Sequence, residues 1–150
     1  MTSLPEPFAS WFDARGWQIH PHQSDLLARA ALPCLLLVAP TGGGKTLAGF
    51  LPTLLELSDG RHPGLHTLYI SPLKALAADI RRNLSRPIDE MQLPIRVEDR
   101  TGDTSYSKRQ RQRADPPHIL LTTPESLALL LSYPDAPHIF RGLNRVIVDE

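Results

Sequence analysis

A chain of 150 residues is one domain's worth, and 41% hydrophobic with 21% charged residues sets a globular class. Sixteen Lys and Arg balance sixteen Asp and Glu, so any attraction to nucleic acid must come from local patches rather than overall charge. A single cysteine excludes an internal disulfide, and no apolar run approaches the ~20 residues of a membrane span.

The opening Met1-Thr-Ser-Leu-Pro-Glu-Pro7 lacks the basic and apolar regions of a secretory signal, so a cytoplasmic location is expected. Residues 8–30 read as helical, with Trp11, Phe12, Leu26, Leu27 and Ala30 apolar and breaks at Gly16 and Pro21. Cys34 precedes an apolar run and is expected as a buried structural thiol. Residues 35–39, all apolar and followed by Pro and Gly, suit a strand buried on both faces. A helix is expected to open near Gly44 and to end before Asp59-Gly60. Residues 65–71 form a second strand, leading into a helix with Leu73, Leu76, Ala77, Ile80 and Leu84 on one face. Residues 95–98 are a shorter strand, and 105–114 a polar segment containing Lys108-Arg-Gln-Arg-Gln-Arg113. That segment could touch a phosphate backbone, although a solvated basic helix face explains it as well. Residues 118–122 and 145–149 are further buried-strand patterns, separated by a helix over 124–131. Strands alternating with helices imply an α/β fold with a mostly parallel sheet, and no interior linker divides it. Fifteen prolines punctuate the chain into short elements.

The most informative stretch is Ala39-Pro-Thr-Gly-Gly-Gly-Lys-Thr46. A strand, a glycine turn and then Lys-Thr opening a helix make a cradle for phosphates. Glycines let backbone N–H groups converge on phosphate oxygens, and the helix start adds partial positive charge. Thr41, Gly42, Gly43 and Gly44 line the cradle, Lys45 reaches the β- and γ-phosphates, and the Thr46 hydroxyl is a Mg²⁺ ligand. The chain ends in Val146-Ile-Val-Asp149-Glu150, an apolar strand followed by two carboxylates suited to metal and water chemistry.

The loop, with its leading Ala39 and internal Thr-Gly, resembles motif I of superfamily 2 helicases, and further look-alikes follow in order. Trp17 and Pro21-His22-Gln23 resemble the adenine-reading Q motif, an aromatic to stack and an amide to pair. Tyr69-Ile-Ser-Pro-Leu-Lys-Ala-Leu76 resembles motif Ia, which implies nucleic-acid contacts from Ser71, Pro72 and Lys74. Arg100-Thr-Gly-Asp103 resembles the short motif that follows, with Gly102 allowing close backbone approach. Leu121-Thr-Thr-Pro-Glu-Ser126 resembles motif Ib, implying contacts from Thr122 or Thr123, with Glu125 as a helix cap. The terminal segment resembles motif II, which implies Asp149 on the metal side and Glu150 as catalytic base.

These residues look like an Lhr-type DEXH-box helicase, most nearly the bacterial ligase-associated form. The resemblance implies a RecA-like phosphate-loop NTPase domain, truncated after the motif II strand. Residues 1–30 would be a helical segment carrying the Q-like stretch, and 31–150 an incomplete first motor domain. It further implies ATP and Mg²⁺ as cofactors, single-stranded DNA or RNA as partner with DNA favoured, and a repair role with a DNA ligase and nuclease. In such sheets the strand leading to motif III lies between the phosphate-loop strand and the motif II strand. Two unpaired strand edges are therefore expected. The arginines of a second motor domain, worth about 10³–10⁵ in rate, are absent from the sequence. A non-catalytic ATP- and nucleic-acid-binding module is the alternative, and a small-molecule phosphotransferase a third.

Overall fold

The computed structural model describes residues 3–40, 42 and 44–149. Four strands, β1 (Thr67–Ile70), β2 (Val97–Arg100), β3 (Ile119–Thr122) and β4 (Arg145–Val148), form one sheet in the order β2-β3-β1-β4. Every pairing is parallel, with Thr67 opposite both Ile119 and Arg145. Parallel neighbours require helical crossovers, and the chain supplies them. The helix α4 (Lys74–Glu90) carries the chain from β1 past β3 to β2, and α5 (Tyr106–Ala114) returns it to β3. The helices α6 (Pro124–Leu131) and α7 (Ala136–Ile139) then lead to β4.

Alternation along the strands divides the core into two layers. Tyr69, Ile119 and Leu121 face one side, where Phe50, Leu51, Leu54 and Leu57 of α3 (Lys45–Leu57) meet Ala77, Ile80, Leu84 and Ile88 of α4. Leu68 and Leu120 face the other, against Leu130 of α6 and Ile139 of α7. Before α3 lie α1 (Phe8–Asp13) and α2 (Pro21–Ala28), so the helical pattern over 8–30 is two helices rather than one. The expected break at Gly16 holds, at φ +63°, and Pro21 opens the second helix.

Several expectations need correction. Residues 34–40 carry no ladder, and neither does any described strand pair with them, so 35–39 is not a strand. An all-apolar run becomes a buried strand only when a neighbour satisfies its backbone. Here Leu36 is 89% and Val38 84% exposed, and Cys34 is exposed rather than buried. Sheet order leaves β4 at an edge among the described strands, with Val146 and Val148 exposed; of the two strand edges expected to be unpaired, the other falls with the strand over 35–39. Leu73 is exposed because it caps α4 instead of joining its buried face. Not all prolines punctuate: Pro52 and Pro87 sit inside α3 and α4. Glu125 lies in the first turn of α6, but the cap is Thr123, whose hydroxyl accepts from the Ser126 N–H.

The foot of the sheet is fastened by a buried polar cluster. His66 is 3% exposed, with Nδ1 at 2.8 Å from Thr67 Oγ1 and Nε2 at 2.9 Å from Glu56 of α3. Thr53 and Thr67 share a 2.9 Å hydrogen bond, and Arg145 of β4 donates to Thr53 and to both Glu56 oxygens. Burial holds the His66 pKa below its ordinary value, overcoming the nearby Glu56 carboxylate, and burial does the same to His118. Both imidazoles fold neutral, so the unfolded chain takes up protons first as pH drops below ~6.5. Their contribution is complete above that pH and is lost as pH falls through the depressed folded values. The urea midpoint should therefore fall between pH 7 and pH 5, and His66→Gln should make that fall shallower; an unchanged slope would exclude His66 as a contributor.

Candidate active site

The direction of α3 organises the site. Phe50 packs on Tyr69 with ring centroids 5.5 Å apart, Thr53 meets Thr67, and Glu56 meets His66 and Arg145. Later helix positions thus touch earlier strand positions, and α3 runs antiparallel to β1 and β4. From Thr53 back to Lys45 the helix rises ~12 Å. From Thr67 forward to Ser71 the strand advances ~13 Å. Lys45 therefore stands level with the carboxyl ends of the strands, the edge where open α/β sheets bind their ligands.

The loop entering α3 has the backbone its sequence demands. Gly42 and Gly44 have φ of +81° and +70°, values that residues with a Cβ adopt at a cost. Among the described residues no side chain caps the α3 N-terminus, where the Ala48 N–H bonds the Gly44 carbonyl. Lys45 has no ion-pair partner among the described residues, and Thr46 is exposed. A helix start, an ammonium and a hydroxyl that no described side chain engages are a receptive arrangement for a polyphosphate. Thr41, Gly43 and Glu150 lie outside the described residues.

Gln23 reaches this loop, though not as an exposed reader. It is 2% exposed; its Oε1 accepts from the His20 N–H at 2.9 Å and its Nε2 donates to the Gly44 carbonyl at 3.3 Å. The amide thus ties the start of α2 to the phosphate loop. Trp17 packs edge-on against Trp11 and Phe12 of α1, with half of its surface open.

Asp149 follows β4 at the same carboxyl edge. Its N–H continues the ladder to the Ile70 carbonyl at 3.0 Å, and its Oδ2 accepts a 2.6 Å hydrogen bond from the Tyr69 hydroxyl. Tyr69 was missed as a site residue because it reads as one more core position in an apolar strand. The signal is available only once the β1–β4 register is known: Tyr69 pairs with Ile147, two residues before Asp149 on the same face.

The nucleic-acid candidates occupy the strand ends too. Ser71 is buried and its Oγ accepts from the Leu73 N–H, whereas Pro72 and Lys74 are exposed. Lys74 is held 3.0 Å from Asp103, both side chains being more than half exposed. Gly102 is exposed, its carbonyl and that of Thr101 bonded by Arg109. Thr122 is fully buried and its hydroxyl donates to the Arg100 carbonyl, so it is turned inward, and Thr123 is committed to capping α6. The basic segment of α5 is largely neutralised within the fold. Lys108 pairs with Asp99, Arg111 with Glu98 and Arg113 with Asp135.

Comparison with known proteins decides the family. Residues 20–150 match the model for the DEAD/DEAH box helicase. The chain belongs to the DEAD/DEAH box helicase family. It is 39% identical over 163 residues to the ATP-dependent helicase Lhr-Core protein 2 of Thermococcus barophilus, covering 98% of this chain and 19% of that protein. The structure of Mycobacterium smegmatis helicase Lhr bound to ssDNA and AMP-PNP superposes with a TM-score of 0.83 at 39% identity, over 97% of this chain and 20% of that one. The helicase MrfA bound to DNA and AMPPNP gives 0.85 at 32% identity, over 99% and 21%. The fold is accordingly RecA-like, and this chain spans about a fifth of the length of these helicases. Among the described residues no helix is long and apolar enough to cross a membrane.

A methyl group on Gly44 would lie 2.9 Å from Gln23 Nε2, on a backbone that L-residues avoid. Gly44→Ala should cost about 1–2 kcal/mol from the left-handed conformation alone, read as a lower urea midpoint. An unaltered midpoint would mean that the loop does not hold this conformation.

Proposed function

We propose that residues 31–150 are the ATP-binding part of the first motor domain of an Lhr-type, ATP-dependent helicase or translocase. Its track is single-stranded nucleic acid, DNA in preference to RNA. The observation that carries this reading is the seat of α3, which brings an uncapped helix start and Lys45 level with Asp149 at one edge of the sheet. That Lhr and MrfA were solved with AMP-PNP and DNA supports it.

The residues fit ATP with Mg²⁺. The positive-φ glycines and uncapped N–H groups suit phosphate oxygens. A hydroxyl from Thr46 and a carboxylate from Asp149 are hard oxygen donors, and Mg²⁺ characteristically takes few protein ligands and completes its shell with phosphates and water. Bound Mg²⁺ would neutralise charge on the phosphates. Lys45 would hold the β- and γ-phosphates, Gln23 would brace the loop from within, and Trp17 would offer a stacking face. By family resemblance Glu150 is the base for the attacking water.

Turnover, in this reading, belongs to a longer chain with a second RecA-like domain. The span of about a fifth of the relatives supports it. So do the outer edge of β4, which no described strand pairs, and the exposed Leu36, Val38, Val146 and Val148, which suit a further strand seated between β4 and residues 35–39. Alone, the segment is a nucleotide-binding module. The repair role and the ligase and nuclease partners rest on the resemblance to the ligase-associated form, as does cytoplasmic location.

ATP hydrolysis should be measured with and without single-stranded DNA and RNA, on this segment and on a chain extended through the next domain. Strand-stimulated hydrolysis is expected only in the extended chain and should vanish in Lys45→Ala; hydrolysis that survives this change would overturn the mechanism. On the strand face, Lys74→Ala should lower the slope of log affinity against log salt by about 0.7, the share of one phosphate on a single strand. Asp103→Asn should tighten binding by removing Lys74's competing partner. An unchanged slope in Lys74→Ala would remove that residue from the track.

A further inference from the structure

Tyr69 has an unusual position for a residue of an inner parallel strand. Its ring is 2% exposed and packs on Phe50 of α3 with an interplanar angle of 35°. A strand buried on both faces has no packing need for a hydroxyl, and burying one costs free energy unless it finds a partner. The partner here is a carboxylate: the phenol donates to Asp149 Oδ2 at 2.6 Å. Bonds from a hydroxyl to an ionised oxygen are the short, strong kind. Asp149 is also held through its backbone, since its N–H donates to the Ile70 carbonyl. Both handles on Asp149 therefore come from consecutive residues of β1.

We propose that Tyr69 is a positioning residue for the Mg²⁺ of bound ATP. This rests on the metal-side role of Asp149 given above. The phenol occupies Oδ2 and fixes the rotation of the carboxylate, leaving Oδ1 as the oxygen presented to the ion or its water. Ligating carboxylates in metal sites are themselves oriented by such outer donors. The same side chain couples two parts of the site. Its ring is braced by Phe50, one and a half turns along the helix that begins at Lys45, and its hydroxyl holds the carboxylate after β4. The spacing between helix start and metal carboxylate is thus set by one rigid aromatic rather than by the loop.

The test uses Tyr69→Phe in the longest natural chain that contains these residues, with a fluorescent ATP analogue titrated at increasing Mg²⁺ and again in excess chelator. Phe keeps the ring against Phe50 and removes only the donor. The Mg²⁺ concentration for half-maximal nucleotide binding should rise by about 10–100-fold, the usual cost of losing an outer-shell donor, while binding in chelator stays unchanged. In an Asp149→Asn background, Tyr69→Phe should add no further shift. If Tyr69→Phe leaves the Mg²⁺ dependence as it was, or weakens chelated and Mg²⁺-dependent binding equally, the positioning role is refuted. If Asp149→Asn itself leaves the Mg²⁺ dependence untouched, the metal-side reading of Asp149 falls and the proposal falls with it. A shift in Asp149→Asn without one in Tyr69→Phe overturns the Tyr69 proposal alone.

Discussion

The parallel pairing of β1 with β4 is the constraint on which the rest of the molecule depends. Its register sets Thr67 beside Arg145 at one end and Ile70 beside Val148 at the other. At the first end, Arg145 reaches Thr53 and Glu56 and draws the last turns of α3 down onto the foot of the sheet. At the second, Asp149 emerges beside β1, within reach of the Tyr69 hydroxyl. Slipping this register by one residue would turn Ile147 and Asp149 away from the α3 layer together, because side chains alternate with a period of two. The fold and the chemistry of the carboxyl edge are therefore specified by the same ladder.

With α3 clamped at its far end, its N-terminus has only one place to be. Eight buried or half-buried apolar positions along the helix secure the shaft, and the clamp fixes its direction. The loop itself needs little stabilisation of its own. It is left open, with two glycines in the left-handed region and one brace from Gln23. The cost appears elsewhere: the apolar run before the loop lies outside the sheet, and its side chains face solvent.

Much of this was legible in the sequence, for physical reasons. The parallel α/β class followed from apolar runs alternating with helical patterns, and four of the five expected strands formed within two residues of their expected positions. The phosphate loop was legible because its demands are local: glycine for positive φ, then Lys-Thr at a helix start. The fifth strand, over 35–39, failed because pairing is non-local, and hydrophobicity records the readiness to be buried but not the presence of a neighbour. Gln23 was found for its amide, yet the bonds that amide makes, to His20 and Gly44, depend on how α2 seats against the loop. Contacts from Thr122 or Thr123 are implied by the likeness of Leu121–Ser126 to motif Ib. Whether a hydroxyl there turns outward or back to the Arg100 carbonyl is a question of rotamer and neighbour, which spacing does not record.

Charge follows the same division between what composition records and what placement does. A balanced chain might suggest a surface indifferent to nucleic acid, but its charges are not evenly spent. Along α5 three of the four cations, Lys108, Arg111 and Arg113, are matched with carboxylates of β2 and the α6–α7 turn, while Arg109 is spent on the Thr101 and Gly102 carbonyls, so that a strongly basic sequence is largely held within the fold. Lys74 is matched as well, but by Asp103 across an exposed gap. Exposed pairs of this kind contribute roughly 0–1 kcal/mol, little enough for a phosphate to displace the aspartate. Lys74 thus places one exchangeable charge at the carboxyl edge of the sheet. A local site of this sort needs no net positive charge to engage a polyanion, only one cation whose partner is easily exchanged.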